Sequence, residues 1–195
     1  MKKLKKNNNF LEKYFSDLSK IIKPGTECLK KLNVVKDLIV STSKKSGKIL
    51  IFGNGGSAAI ASHVSVDLTK NARIRAMNFN EADLITCFSN DYGYDRWIEK
   101  TIDFYADKKD IIILISSSGQ SRNMINACRA AKKKRIKVIS FTGHSKNNPL
   151  SKLSKISLWV NSKAYNYIEN IHQIWLLGIC DLIIGKKEYS AKRKD

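Results

Sequence analysis

Five short apolar runs alternate with longer segments of helical periodicity along this chain. The runs predict strands at the start of segment 47–70 and at 74–79, 111–115, 137–143 and 156–160. Strands that alternate with helices are typical of βαβ units, in which helices cover both faces of a parallel sheet. The pattern therefore predicts a single α/β domain.

The segments of helical periodicity have recognisable ends. Residues 10–46 are interrupted at Pro24 and Gly25, which predicts two N-terminal helices. Further helices are predicted behind the first strand up to residue 70, at 80–90 with Asn80 as N-cap, at 91–106, at 121–134 with Ser121 as N-cap, and at 164–185. The last of these helices is long and apolar.

Positive charge is the most unusual feature of the composition. The chain has 36 Lys and Arg against 17 Asp and Glu, a formal net charge of +19, and much of it lies in 1–9, 130–137 and 186–195. We expect basic tails at 1–9 and 187–195 around a domain at 10–186. Such an excess favours anionic partners. Aromatic residues are not interleaved with the basic runs, however, and no nucleic-acid-binding signature is present, so we do not expect nucleic acid as a partner.

The four cysteines, Cys28, Cys87, Cys128 and Cys180, are scattered and form no CxxC motif. This spacing argues against a zinc finger or a redox motif and fits free thiols in a reducing compartment. The sequence also has neither the apolar segment of a signal peptide nor an apolar run of membrane-spanning length. We therefore expect a cytoplasmic protein with no membrane partner.

The turn behind the first predicted strand is rich in glycine. It contains Asn54, Gly55, Gly56 and Ser57. Glycines let the backbone approach a ligand closely, and N–H groups at the start of a helix attract anions. The turn matches neither nucleotide fingerprint, GxGxxG or GxxxxGK[ST], and a tight turn alone needs glycine for steric reasons.

The turn behind strand 111–115 is rich in serine. Ser116, Ser117, Ser118 and Ser121 offer hydroxyl donors that suit a tetrahedral anion. A serine-rich loop with an N-cap is the simpler explanation of this turn alone. Two such turns at the carboxyl edge of one parallel sheet favour a site for a phosphorylated, hydroxyl-rich small ligand.

Three motifs, GNGGSAAIASH, SNDYG and SSSGQSRN, occur in this order and resemble the sugar isomerase (SIS) domain. Within that family the chain resembles the bacterial phosphoheptose isomerases, from about residue 10 to 186. The resemblance implies a five-stranded parallel sheet flanked by helices, which is a flavodoxin-like three-layer sandwich. It also implies a homotetramer, or dimer of dimers, with active sites between subunits.

The resemblance implies an enzyme that converts sedoheptulose 7-phosphate to a manno-heptose 7-phosphate for surface polysaccharide. The serine-rich turn would hold the sugar phosphate. The glycine-rich turn would line the sugar, and Asn90 and Asp91 would reach it from the next turn.

The acid–base positions of that family match only in part. Aldose–ketose isomerisation moves a proton between adjacent carbons and needs a base and an acid. In the phosphoheptose isomerases these are a Glu on the helix after the glycine turn and a His on the last helix, and the two form a zinc site with another His and a Gln. Here His63 matches, Asp67 replaces the Glu, Glu169 replaces the Gln, His172 matches a further His, and Leu177 replaces the catalytic His.

Two interpretations of these positions remain open. Asp67 and Glu169 could form a new acid–base pair with His63 or His172 as proton relay, and His63, Asp67 and Glu169 could together hold zinc. Alternatively, His172 is a hydrogen-bonded histidine of the core or an interface, and Glu169 caps neighbouring backbone.

Two functions therefore compete. The first is a phosphosugar isomerase; the chain is about five residues shorter between DLTKN and FSNDYG, so its sugar could differ from that of the family. The second is a non-catalytic SIS protein that binds a phosphosugar or a protein partner. It resembles the replication-initiator-associating members, which also lack the His at the position of Leu177. We expect the isomerase.

Overall fold

A five-stranded parallel sheet lies at the centre of the computed structural model, which describes residues 2–189, with side chains from residue 9 onward. The strand order is β2-β1-β3-β4-β5, and every neighbouring pair is parallel. The strands are β1 (Ile49–Gly53), β2 (Ala76–Asn78), β3 (Ile111–Ser116), β4 (Lys137–Thr142) and β5 (Ile156–Trp159). This order is the flavodoxin-like one, so the predicted sheet is confirmed.

Eight helices surround the sheet in the described part of the chain. They are α1 (Lys2–Ile22), α2 (Thr26–Lys44), α3 (Gly56–Lys70), α4 (Ala82–Tyr92), α5 (Trp97–Tyr105), α6 (Arg122–Lys133), α7 (Pro149–Leu153) and α8 (Tyr165–Ile184). α1 continues through residues 2–9, which were predicted as a basic tail, whereas most of the predicted C-terminal tail, 190–195, lies outside the described residues. The short α7 was not predicted.

The core forms two apolar layers, one on each face of the sheet. Ile51 and Ile113 point towards α2, α3 and α8, whereas Phe52 and Leu114 point towards α5 and α6. Strands that are buried on both faces read as continuous apolar runs, which explains the composition of β3. Each such side chain contributes about 1.5–3 kcal/mol when it is fully buried.

Of the two predicted N-cap residues, Asn80 is wrong and Ser121 is confirmed. The side-chain amide of Asn80 donates to the Ala58 carbonyl (2.8 Å) and to Ser62 Oγ (2.7 Å), so it ties this segment to α3, and Glu81 is the N-cap residue of α4. Ser121 is at the N-cap of α6, but its hydroxyl makes no capping hydrogen bond with any described residue. That hydroxyl is therefore available to a ligand.

No helix within residues 2–189 combines the length and the apolar character needed to span a bilayer.

Candidate functional site

The two predicted ligand turns lie side by side at the carboxyl edge of the sheet. We call residues 53–57 the glycine loop and residues 116–121 the serine loop. The glycine loop follows β1 and the serine loop follows β3, and these strands are neighbours with Gly53 opposite Ile115. Both loops lead directly into a helix, so the amino ends of α3 and α6 start at this edge.

An amide pair joins the two loops. Asn54 Nδ2 donates to Asn123 Oδ1 (3.1 Å), and Asn123 Nδ2 donates to Asn54 Oδ1 (2.9 Å). Asn123 is only 1% exposed. Its Oδ1 also accepts the backbone N–H of Met124 (2.9 Å). Asn123 is the last residue of the motif SSSGQSRN, but the sequence does not distinguish it from a surface residue at the start of a helix.

The glycine loop needs its glycines for two different reasons. Gly55 has φ of 54°, in the left-handed region that favours glycine. Gly56 has no room for a side chain, because a Cβ there would overlap the carboxylate of Glu169. Glu169, on α8, therefore lies against the glycine loop. This is the position that a site residue at this loop requires. Partial burial raises the pKa of the Glu169 carboxyl.

The serine loop presents its four hydroxyls differently. Ser116 and Ser117 are buried, and Ser117 Oγ has no hydrogen-bond partner in the described part of the chain. Ser118 and Ser121 are partly exposed, and Ser118 Oγ accepts the backbone N–H of Gln120 (3.2 Å). Ser118 and Ser121 are thus the hydroxyls that a ligand at the amino end of α6 can reach first.

Residues 143–150, which follow β4, contact the serine loop and hydrogen-bond its backbone. Gly119 has φ of 64°, and a Cβ there would overlap the side-chain amide of Asn148. The Asn148 side chain also caps α7 by accepting the Ser151 N–H (2.8 Å). In addition, the Leu150 N–H donates to the Gly119 carbonyl (3.1 Å) and the Gly143 N–H donates to the Ser117 carbonyl (2.8 Å).

The turn between α4 and α5 reaches the glycine loop through Tyr94. The Tyr94 hydroxyl donates to Asn54 Oδ1 (3.2 Å), although the ring is largely exposed. The predicted residues Asn90 and Asp91 lie in the last turn of α4, not in this connection; they are exposed and hydrogen-bond to each other (3.0 Å). Among the hydrogen bonds of the described residues, none joins Asn90 or Asp91 to the two loops. The sequence missed Tyr94, although it follows directly on the motif SNDYG.

His63 and Asp67 lie further along α3. The side-chain amide of Gln173 donates to His63 Nδ1 (3.1 Å), so a neutral His63 carries its proton on Nε2, which lies 3.8 Å from Asp67 Oδ2. Asp67 Oδ1 also accepts from Asn71 Nδ2 (3.0 Å). Asp67 is about three helical turns (~16 Å) from Gly56 along the helix. Within one chain it is therefore remote from Glu169, and the two carboxylates do not form the predicted direct pair.

The predicted metal cluster is not formed within one chain. No group of three His, Cys, Asp or Glu side chains in the described residues could hold a metal ion. Glu169 lies at the glycine loop, whereas His63 and Asp67 are engaged by Gln173 and Asn71. Leu177 packs against the apolar core and offers no donor. This donor set does not fit the zinc site implied by the resemblance.

His172 belongs to the core, which contradicts its prediction as a catalytic residue. It is fully buried, its Nε2 donates to the Thr142 carbonyl (3.1 Å), and its ring packs edge-on against Phe141. Desolvation lowers the pKa of His172 to about 4, although the bond to Thr142 opposes this shift. The imidazole is therefore neutral at physiological pH.

Curated proteins with similar sequences include phosphoheptose isomerases. A family model described as SIS domain matches residues 13–143. The phosphoheptose isomerase of Aliarcobacter butzleri is 34% identical over 172 residues, which cover 85% of this chain and 89% of that protein. That of Buchnera aphidicola subsp. Acyrthosiphon pisum is 33% identical over 182 residues, which cover 89% of this chain and 93% of that protein.

Solved structures similar to this chain also include phosphoheptose isomerases. A phosphoheptose isomerase from Francisella tularensis aligns with a TM-score of 0.82 at 26% identity, over 95% of this chain and 100% of that chain. The phosphoheptose isomerase of Neisseria gonorrhoeae aligns with a TM-score of 0.79 at 26% identity, over 94% and 99%.

Proposed function

Because this chain belongs to the SIS domain family, we propose that it is an aldose–ketose isomerase of a phosphorylated sugar, as its relatives named phosphoheptose isomerase are. The proposed substrate is sedoheptulose 7-phosphate or a similar ketose phosphate. The product from sedoheptulose 7-phosphate would be D-glycero-D-manno-heptose 7-phosphate, a precursor for surface polysaccharide.

The observation that carries this proposal is the joined pair of loops at neighbouring strands. The serine loop and the amino end of α6 supply hydroxyl and N–H donors, which suit a phosphate dianion. Asn54 and Glu169 lie on the glycine-loop side, where the sugar of a bound phosphosugar would extend. Donors at one end and a carboxyl group at the other fit a phosphorylated substrate that undergoes proton transfer.

Glu169 is our proposed acid–base group on the glycine-loop side. A base removes a proton from C1 of the ketose, and the electron pair forms the C1=C2 bond of the enediol while the C2 oxygen gains a proton. The C1 hydroxyl then loses its proton to form the aldehyde carbonyl while C2 takes up a proton, which gives the aldose. General acid–base catalysis of this kind contributes roughly 10²–10⁴-fold to the rate. The raised pKa of Glu169 brings its two protonation states closer to balance near neutral pH.

We propose that a neighbouring copy supplies the second acid–base group. Asp67 and His63 are remote from the glycine loop of their own chain, so a homotetramer, or dimer of dimers, would bring them to another copy's site. Large exposed apolar residues on α3 and α8 support such an interface: Val66 (57% exposed), Ile174 (47%) and Leu182 (49%). Because the donor set does not fit zinc, no step of this mechanism requires it.

We also propose a cytoplasmic location. The four cysteines are free, and this is the usual state of thiols in a reducing compartment.

Proton NMR in D₂O tests the proposed activity directly. We expect the protein to exchange the proton on the carbon next to the carbonyl of sedoheptulose 7-phosphate, both with added zinc and after treatment with a chelator. Asp67→Asn should abolish exchange and leave binding largely intact, whereas Ser118→Ala should weaken binding. Asn33→Ala, an exposed change on α2, is the matched control.

The alternative is a non-catalytic SIS protein, which Leu177 favours. The relatives named as isomerases favour the enzyme. If several ketose phosphates bind and none shows exchange, the non-catalytic function is correct.

A further inference from the structure

We propose that Asn123 is a positioning residue that fixes the orientation of the Asn54 amide, so that Asn54 presents a hydrogen-bond donor to the sugar. This inference rests on the proposed function. It identifies the residue that determines whether Asn54 offers a donor or an acceptor to the sugar. Asn123 itself is buried and acts through Asn54.

The orientation of Asn123 is set by the backbone. A backbone N–H can only donate, so the atom of Asn123 that faces the Met124 N–H at 2.9 Å must be the carbonyl oxygen Oδ1. The amide nitrogen Nδ2 of Asn123 then points to Asn54. The local start of α6 thus determines which end of this side chain faces the glycine loop.

Asn54 inherits its orientation from Asn123. The Nδ2 of Asn123 requires an acceptor, so Asn54 Oδ1 must face it (2.9 Å), and Asn54 Nδ2 faces Asn123 Oδ1 (3.1 Å). A flipped Asn54 would bring two nitrogens and two oxygens together. The Tyr94 hydroxyl also donates to Asn54 Oδ1 (3.2 Å).

This arrangement leaves one type of contact for a substrate. The oxygen of Asn54 already accepts two hydrogen bonds, and one hydrogen on its nitrogen is used by Asn123. The second Nδ2 hydrogen remains, so Asn54 is a donor towards the ligand. A fixed donor suits an oxygen that gains negative charge, such as the carbonyl oxygen of a ketose on its way to the enediol.

A double-mutant cycle in kcat/KM tests the inference. We expect Asn54→Ala and Asn123→Ala each to lower kcat/KM by about 10- to 100-fold, which reaches the lower end of the roughly 10²–10³-fold cost of losing one oxyanion-hole donor. The double variant should fall within threefold of Asn54→Ala alone, because Asn123 acts through Asn54. Effects that multiply, or an Asn123→Ala variant within twofold of the wild type, would overturn the inference.

A second variant separates positioning from general damage to the fold. Asn123→Ser keeps an oxygen near the Met124 N–H but is too short to bridge to Asn54. We expect its melting temperature and its dissociation constant for inorganic phosphate to stay near those of the wild type, while kcat falls more than KM rises. Equal loss of phosphate affinity and of kcat would mean that Asn123 serves the serine loop instead. Asn33→Ala again serves as the control.

Failure of the proposed function gives a different result. If the wild type neither binds nor isomerises phosphosugars, the substrate assignment is wrong, and the orientation is then read from a crystal structure of Asn123→Ser. A rotated Asn54 amide supports the positioning role, and an unchanged Asn54 refutes it.

Discussion

The carboxylate of Glu169 lies directly against the backbone of Gly56, so that no Cβ fits between them. This contact joins the start of α8 to the start of α3 and holds the carboxyl group beside the glycine loop.

Gly56→Ala should therefore displace Glu169 without unfolding the protein. The overlapping atoms are the end of a flexible side chain, so we expect the free energy of unfolding to change by no more than ~1 kcal/mol. A displaced catalytic group should lower kcat by about 10- to 100-fold. Steady-state kinetics and thermal melts measure both effects, and Gly25→Ala, with open space around it, is the control. Unchanged kcat in Gly56→Ala would argue against Glu169 as an acid–base group.

Ser121→Ala should affect binding but not stability. An N-cap hydroxyl that bonds the helix start contributes roughly 0.5–2 kcal/mol, but the Ser121 hydroxyl makes no such bond to the residues described. We expect an unchanged melting temperature and a phosphosugar dissociation constant about tenfold higher, as for loss of one hydrogen bond to a charged group. Calorimetric titration measures the affinity. Ser41→Ala, an exposed serine that bonds within α2, is the control. A lower melting temperature with unchanged affinity would return Ser121 to a capping role.

Glu169→Gln should stabilise the protein in a pH-dependent way. In the folded state, burial raises the pKa of Glu169 above its ordinary value of 4.5, so the carboxyl group ionises at a lower pH in the unfolded state than in the folded state. The wild type then loses stability as the pH increases from 4.5 through the folded pKa, whereas the Gln variant does not. The variant should melt higher at pH 7.5, with a difference that vanishes near pH 4, and should lose isomerase activity.

Glu27→Gln gives the matched comparison, because its hydrogen bond to Lys31 lowers the pKa of Glu27. The sign of its stability change should be opposite and small for an exposed pair. If Glu169→Gln melts at the same temperature as the wild type at every pH, the carboxyl group is better solvated than its position suggests.

His172→Gln should remove the loss of folding stability that His172 causes at acid pH, and it should leave catalysis intact. The folded pKa of about 4 lies below the ordinary value of 6.5, so the unfolded state binds the extra proton between these pH values. The wild type should lose about 3 kcal/mol of stability as the pH falls from 6.5 to 4, at 1.36 kcal/mol per unit. The variant should lack this slope in chemical denaturation and keep kcat within threefold at pH 7.5. A collapse of kcat in a folded His172→Gln would restore the catalytic assignment.

The sequence predicted the sheet and the family because both depend on local patterns. Apolar runs of the right length specify strands that are buried on both faces, and three motifs with their order were enough for the SIS resemblance, which the family match confirmed. The glycine and serine loops were predicted together because strand ends in a parallel sheet share one edge.

Contacts between distant segments were not predictable in this way. Sequence spacing places His63 and Asp67 on one helix face, but it does not say how far along α3 the partner helix brings Glu169. The amide pair of Asn54 and Asn123 joins residues from different strand–helix units, and its signal is two ordinary polar residues. The sequence left both a catalytic and a core role open for His172, because a histidine in a family motif can pack into the core as easily as face a ligand, and the structure shows the core role.

The support of Gly119 by Asn148 has a consequence for protein engineering. Residues 143–150 look like an interchangeable surface connection, yet they contact and hydrogen-bond the serine loop directly. Grafting a longer or shorter connection at this position would change the conformation of the serine loop, and with it the affinity for the proposed phosphosugar, without altering any residue of the serine loop itself.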